Sequence, residues 1–244
     1  MEIALLTDVG QKRSNNQDYV NRYTNRAGID LIVLADGMGG HRAGHIASEM
    51  TATDLGASWV DTQLNTLNEV REWMIAVLEE ENKKIYELGQ TEEYKGMGTT
   101  LEAVVIIEQQ MIYAHVGDSR IALIRDGEYT QLTSDHSLVS ALVRAGQLSE
   151  EEARRHPQKN IITQSIGQHD PVEPDIALKT LEPGDYVLIN SDGLTNMVSK
   201  EDIRDILLSE VPLESKAESL IRFANNAGGT DNITVALLYL PEEG

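Results

Sequence analysis

The chain has 244 residues, 40 of them Asp or Glu against 20 Lys or Arg, for a formal net charge of −20 at pH 7. That balance argues against non-specific binding to nucleic acid or to an anionic membrane, both of which need neutralising cations. Cysteine is absent, which excludes disulfides, thiolate nucleophiles and thiolate metal sites, while the length allows one domain with a substantial core.

The N-terminus, Met1 to Asp8, has no basic start, long apolar stretch or small-residue cleavage site, so no secretory signal is expected. The longest apolar runs, Leu31 to Ala35 and Ala103 to Ile107, fall far short of the ~20 residues of a membrane helix. A soluble, cytoplasmic protein is the expectation, with no nucleic-acid or membrane partner. Residues 3–8 read as a strand, followed by a polar loop to Asp18. Asp30 to Asp36 is a short apolar run ending in the glycine-rich turn Asp36-Gly37-Met38-Gly39-Gly40, which fits a buried strand. Residues 43–60 read as a small-residue helix, and 66–88 as a longer one, with Leu67, Val70, Met74, Val77, Leu78, Ile85 and Leu88 at three-and-four spacing. Residues 99–107, 111–116 and 120–124 read as successive strands, and Asp126-Gly127 as a hairpin turn. Ser137 to Ala145 reads as helix. Ser149 with Glu152 makes a capping box for another, which His156-Pro157 ends. Residues 185–190 read as a strand, Ser199 starts a helix, Ala217 to Ala224 lie on the last helix, and 233–240 close the chain as a strand. Blocks of strands and blocks of helices without βαβ alternation predict an α+β layered fold with largely antiparallel sheets.

Three apolar runs end alike, in Asp36-Gly37, Gly117-Asp118 and Ser191-Asp192-Gly193, and Asp231 stands just before the last strand. Any one of these taken alone is ordinary turn chemistry. Together they place carboxylates at the ends of rigid elements, outside the core. If those ends converge, mutual repulsion calls for a bound cation, and oxygen-only ligands favour Mg²⁺, Mn²⁺ or Ca²⁺ over zinc. No Walker-type run or dinucleotide glycine fingerprint occurs in the right context, which discounts a nucleotide-binding protein. No strand-end Asp-x-Asp is present for an aspartyl-phosphate mechanism.

The order of motifs resembles that of the metal-dependent protein phosphatases, the type 2C family, in its bacterial branch. The pieces are Arg13-x-x-Asn16-Gln17-Asp18, Asp36-Gly37-Met38-Gly39-Gly40-His41, Gly98-Thr99-Thr100, Val116-Gly117-Asp118-Ser119-Arg120, Leu132-Thr133-x-Asp135-His136-Ser137, Ser191-Asp192-Gly193 and Asp231-Asn232-Ile233-Thr234. They span almost the whole chain. The resemblance implies a β-sandwich of two antiparallel sheets flanked by helix pairs on both sides, a four-layer αββα arrangement. It implies one catalytic domain over 1–244, with a flap at about 146–170. It also implies hydrolysis of phosphoserine and phosphothreonine by a metal-bridging hydroxide, with no covalent enzyme intermediate. Two or three Mn²⁺ or Mg²⁺ ions are implied. Asp36 would bridge two of them, with the Gly37 carbonyl on the second and Asp192 and Asp231 on the first. Asp18 would bind waters on the second metal, and Asp118 with Asp192 a third ion. Arg13 would hold the substrate phosphate. Many eukaryotic members carry a histidine directly after this Asp-Gly as the proton donor, where this chain has Met38. His41 is the nearest candidate acid, with a metal-bound water its rival. His115, inside a strand, reads as packed or hydrogen-bonded, and His136 as organising a turn. Gly98-Thr99-Thr100 reads as a tight turn into a strand. The implied partners are phosphorylated proteins, the substrates of a cognate serine/threonine kinase, and a monomer is expected. The competing reading is a catalytically inactive metal-binding relative acting as an interaction module.

Overall fold

The computed structural model describes residues 1–39, 43–169 and 171–241. Strands β1 (Glu2–Asp8), β2 (Asp18–Thr24) and β3 (Asp30–Met38) lead into two long helices, α1 (Ala43–Val60) and α2 (Leu67–Gly89). Then come β4 (Gly98–Thr99), β5 (Leu101–Ile107), β6 (Gln110–Val116), β7 (Arg120–Arg125) and β8 (Glu128–Gln131), followed by the short helices α3 (Leu138–Arg144) and α4 (Glu150–Arg155). The order ends with β9 (Asp175–Thr180), β10 (Tyr186–Asn190), α5 (Asp192–Thr195), α6 (Lys200–Leu207), α7 (Leu213–Asn226) and β11 (Ile233–Tyr239).

One sheet has the order β1-β11-β10-β7-β8 and the other β2-β3-β5-β6-β9, with β4 beside the end of β3. Every pairing is antiparallel. Strand alternation builds the layers. In β3, Leu31 and Val33 pack with Trp59 of α1 and Met74 of α2, while Ile32 and Leu34 point the other way, toward Ile189 and Ala236 of the opposite sheet. In β11, Val235 and Leu237 meet Ile203 of α6 and Leu220 of α7, and Ala236 and Leu238 join the layer between the sheets. A period-two strand thus feeds two cores at once. Each fully buried Leu or Ile contributes about 1.5–3 kcal/mol. The result is the four-layer αββα sandwich that the motif order implied.

Local chemistry sets the boundaries. Thr66 and Glu69 cap α2 reciprocally, as Ser149 and Glu152 cap α4, and the Ser199 hydroxyl accepts from the Asp202 amide at the start of α6. Asp126 and Gly127 turn between β7 and β8 with φ of 52° and 76°, the primed hairpin geometry. Three strands escape the periodicity reading: β2, β8 and β9. The single run expected over 99–107 is broken at Thr100 into β4 and β5.

The stretch 146–170 is not uniform. Asn160 and Ile162 face the cleft described below. Ile166, by contrast, is fully buried and forms a bridge with Thr99, and Asn82 of α2 accepts from the Gly167 and Gln168 amides. Among the described residues no helix is long and apolar enough to cross a membrane.

Candidate metal centre

Antiparallel pairing brings distant parts of the chain to one end of the sandwich. The end of β10 and the starts of β11 and β7 lie on the same edge of one sheet. The start of β2 and the ends of β3 and β6 share an edge of the other. Asp18 and Asp36 are direct cross-strand partners. A cleft of about 260 Å³ opens there, lined by Arg13, Asp36, Gly37, Asp118, Asp192 and Asp231 among others. Six sequence-predicted residues therefore converge, with Asp18 buried beside them. His41 lies outside the described residues.

Each carboxylate is held by its surroundings. Asp18 Oδ2 accepts from Ser191 Oγ at 2.8 Å and Thr234 Oγ1 at 2.7 Å. Asn16 donates to Thr7 Oγ1 and so directs the Thr7 hydroxyl onto Thr234, which aims Thr234 at Asp18. The Asp36 amide donates to Thr100 Oγ1 at 3.0 Å, and the Asp36 carbonyl accepts from Thr99 Oγ1 and the Thr100 amide, both at 2.9 Å. Asp192 opens α5 and accepts from Asn196 at 2.9 Å. Asp231 Oδ2 accepts from Arg13 at 2.8 Å, with the Arg13 side chain half exposed. The Asn232 side chain anchors the loop that carries Arg13: it accepts from the Gln17 amide and donates to the Val9 and Asn15 carbonyls.

Glycine is required where backbones touch. A Cβ on Gly37 would sit 2.1 Å from the Gly44 carbonyl oxygen of α1, and one on Gly193 would sit 1.9 Å from the Asn232 carbonyl oxygen. These contacts seat the end of β3 on α1, and α5 on the start of β11.

Electrostatically the cluster is strained. Burial, followed by Asp18, Asp192, Asp118 and Asp231, raises the Asp36 carboxyl well above its usual range. Burial raises Asp18 to about 6 despite its two hydroxyl donors. Burial and then Asp192 raise Asp118 to about 7, and burial and then Asp231 raise Asp192 to about 6. The Asp18 Oδ1 atom is buried with no hydrogen-bond partner. A hard divalent cation fits this environment, because it accepts oxygen donors and relieves the repulsion. Among the described residues no three His, Asp or Glu side chains already enclose one point as ligands. Asp231 turns to Arg13 and Asp192 to Asn196 instead.

Sequence reasoning left Thr99 and Thr100 as turn residues, but their side chains clamp the Asp36 backbone. It gave no role to Ser191, Asn232 or Thr234. Their signal is position: each is a polar residue inside a motif, one to three places from a strand-end aspartate, and each is buried.

This sandwich, with an all-oxygen acidic cleft rimmed by arginine, is that of a metal-dependent phosphatase. Residues 9–235 match the family described as Protein phosphatase 2C, and the chain belongs to that family. It is 69% identical to Protein phosphatase PhpP of Streptococcus pneumoniae over 100% of this chain and 99% of the relative. It is 42% identical to the Serine/threonine phosphatase stp of Listeria welshimeri, covering 98% and 95%. The solved structure of the S. agalactiae serine/threonine phosphatase superposes with a TM-score of 0.97 at 64% identity, covering 98% of this chain and 99% of that one.

Proposed function

We propose that this protein removes phosphate from phosphoserine and phosphothreonine on proteins. The observation that carries the reading is the convergence of Asp36, Asp118, Asp192 and Asp231 from the ends of both sheets on one cleft with Arg13 at its rim. Relatives named protein phosphatase and serine/threonine phosphatase, matched along nearly their full length, support it.

In this reading Asp36, the Gly37 carbonyl, Asp192 and Asp231 would hold two Mn²⁺ or Mg²⁺ ions, Asp118 with Asp192 a third, and Asp18 would order water beside them. Bound ions supply neutralising charge and an acidified water nucleophile for attack at phosphorus. Arg13 binds the phosphate, since its guanidinium is permanently charged and offers a planar fork of donors. It leaves Asp231 to do so. Thr99 and Thr100 keep Asp36 in place, and Ser191 and Thr234 keep Asp18 oriented. The departing alkoxide needs a proton, for which His41 or a water in the site is the donor. The chain acts as one catalytic domain in the cytoplasm, a monomer, with the outer part of 146–170 as a flap over the cleft. It reverses the work of a serine/threonine kinase. Nothing favours an inactive interaction module, because every acidic residue of the motif set and Arg13 are retained.

The test is hydrolysis of p-nitrophenyl phosphate with Mn²⁺, with chelator, and by Asp192→Ala. Turnover is expected only with metal, and Asp192→Ala is expected to lose at least the ~10- to 100-fold that even partners of metal ligands cost. Metal-independent turnover, or an unimpaired variant, overturns the mechanism. Phosphopeptides then test phosphoserine and phosphothreonine against phosphotyrosine, with the first two preferred.

A further inference from the structure

Asp135-His136-Ser137 does not line the cleft, yet it touches both a residue next to a candidate ligand and the cleft's outer wall. Arg120 grips Asp135 through two hydrogen bonds, of 3.0 and 2.7 Å. The His136 amide donates to the Gly117 carbonyl at 2.7 Å, and the Gly117 amide donates to His136 Nδ1 at 3.2 Å. One residue thus holds both backbone groups of the glycine directly before Asp118. On its other side the His136 carbonyl accepts from the Thr163 amide at 2.8 Å, and Nδ1 accepts from Gln164 Nε2 at 3.0 Å. Ser137 bridges to Ile162, which lines the cleft.

The imidazole's state follows from its partners. Gln164 is fixed by two bonds to the Glu173 backbone, its Nε2 donating to the carbonyl and its Oε1 accepting from the amide, both at 2.9 Å. Nδ1 therefore faces two N–H donors and must accept, leaving Nε2 to donate to Asp175 at 3.2 Å. A neutral ring is required, and burial followed by His115 lowers its pKa. Beneath it the His115 ring lies 4.6 Å away, pinned between Glu102 at 2.6 Å and the Ser134 carbonyl at 3.2 Å.

We propose that His136 is a positioning residue for the phosphatase reaction, its Nδ1 acceptor locking the Gly117–Asp118 turn and the cleft wall at 161–164 into one register. This rests on the phosphatase reading above. Displacement of a reacting group by ~1 Å can cost about 100-fold in rate, so a lock at this point controls turnover without touching substrate.

Two amide substitutions separate this role from packing. In His136→Asn the Oδ1 atom replaces the Nδ1 acceptor. In His136→Gln the Nε2 atom replaces the donor to Asp175, while the acceptor beside Gly117 is lost. With saturating Mn²⁺ and p-nitrophenyl phosphate, His136→Asn should keep near wild-type kcat, and His136→Gln should fall about 10- to 100-fold. Hydrogen exchange should show the Gly117 amide still protected in the Asn variant and unprotected in the Gln variant. A space-filling role predicts the reverse order, because Gln is closer to His in size. Equal behaviour of the two variants, or the better activity from Gln, overturns the proposal. If His136→Gln does not fold, Gln164→Leu reads the wall contact instead: KM for a phosphothreonine peptide should rise more than KM for p-nitrophenyl phosphate, and no rise overturns the link. A wild-type protein without turnover would refute the phosphatase reading, while Gly117 exchange would still report on His136.

Discussion

Thr100 is the plainest case of a side chain working through another. Its hydroxyl accepts the Asp36 amide and pairs with Ser119 at 2.8 Å, both hydroxyl residues being fully buried. Thr100→Val keeps the shape and deletes the acceptor, leaving the Asp36 N–H and the buried Ser119 hydroxyl without this partner. That should cost about 1–3 kcal/mol, read as a lower urea midpoint, together with reduced turnover because Asp36 is no longer fixed. An unchanged midpoint would mean that water replaces the hydroxyl at no cost. The buried pair of Glu102 and His115 is a different kind of residue-scale device. Burial raises Glu102 to about 7. Burial alone would lower His115, but the neighbouring Glu102 outweighs it and raises it. The pair holds a proton between them and gives His136 a rigid floor.

Among the elements, α5 has the greatest effect for its size. Its four residues carry Asp192, and Gly193 lets it lie directly on the Asn232 carbonyl beside Asp231. Gly193→Ala forces these apart. Overpacking of this kind costs about 1–3 kcal/mol or more. The Mn²⁺ concentration giving half-maximal thermal stabilisation should rise with it, since the contact spaces two candidate ligands. A destabilised protein with unchanged Mn²⁺ response would separate the contact from the ions. The elements also explain what the sequence could and could not reveal. The buried runs of β3, β5, β6, β10 and β11 are visible as apolar blocks, and α2 as a three-and-four stripe. β2, β8 and β9 are edge strands of their sheets. Glu128–Gln131 alternates exposed with half-buried positions, Asp18–Thr24 has no buried apolar residue, and both carry Asn, Arg, Thr or Gln, so no apolar block marks them. Leu178 of β9 even points outward, 55% exposed. The strand-end aspartates were legible because motif order fixes them. Thr100, Ser191 and Thr234 were less so, because a hydroxyl's partner is set by tertiary contact and leaves no periodicity.

The whole molecule carries the electrostatic consequence. Asp18, Asp118 and Asp192 have folded-state pKa values raised from 3.8 to about 6, 7 and 6. The folded state therefore binds protons more tightly than the unfolded chain. Their contribution is fully present below the unfolded value and is lost as pH rises through the folded ones. With chelator present, the melting temperature should fall as pH is raised from about 4 to about 7. With Mn²⁺ that decline should flatten or reverse, because the ion favours the ionised carboxylates. A metal-free melting temperature that rises across this interval would contradict the acidic cluster as the controlling feature.

β11 is an interior strand of its sheet, between β1 and β10, although it is the last strand among the described residues. β1 pairs with no other strand among the described residues. The β1–β11 pairing, residues 2–8 with 233–239, thus closes a loop over nearly the whole described chain, a contact of very high sequence separation that is slow to form. Asp231, Asn232 and Thr234 lie at that same segment, so the Arg13–Asp231 and Thr234–Asp18 contacts form only when it docks. A fragment that stops before Asp231 is therefore expected to lack the β1 pairing together with the Arg13 and Thr234 contacts of the cleft.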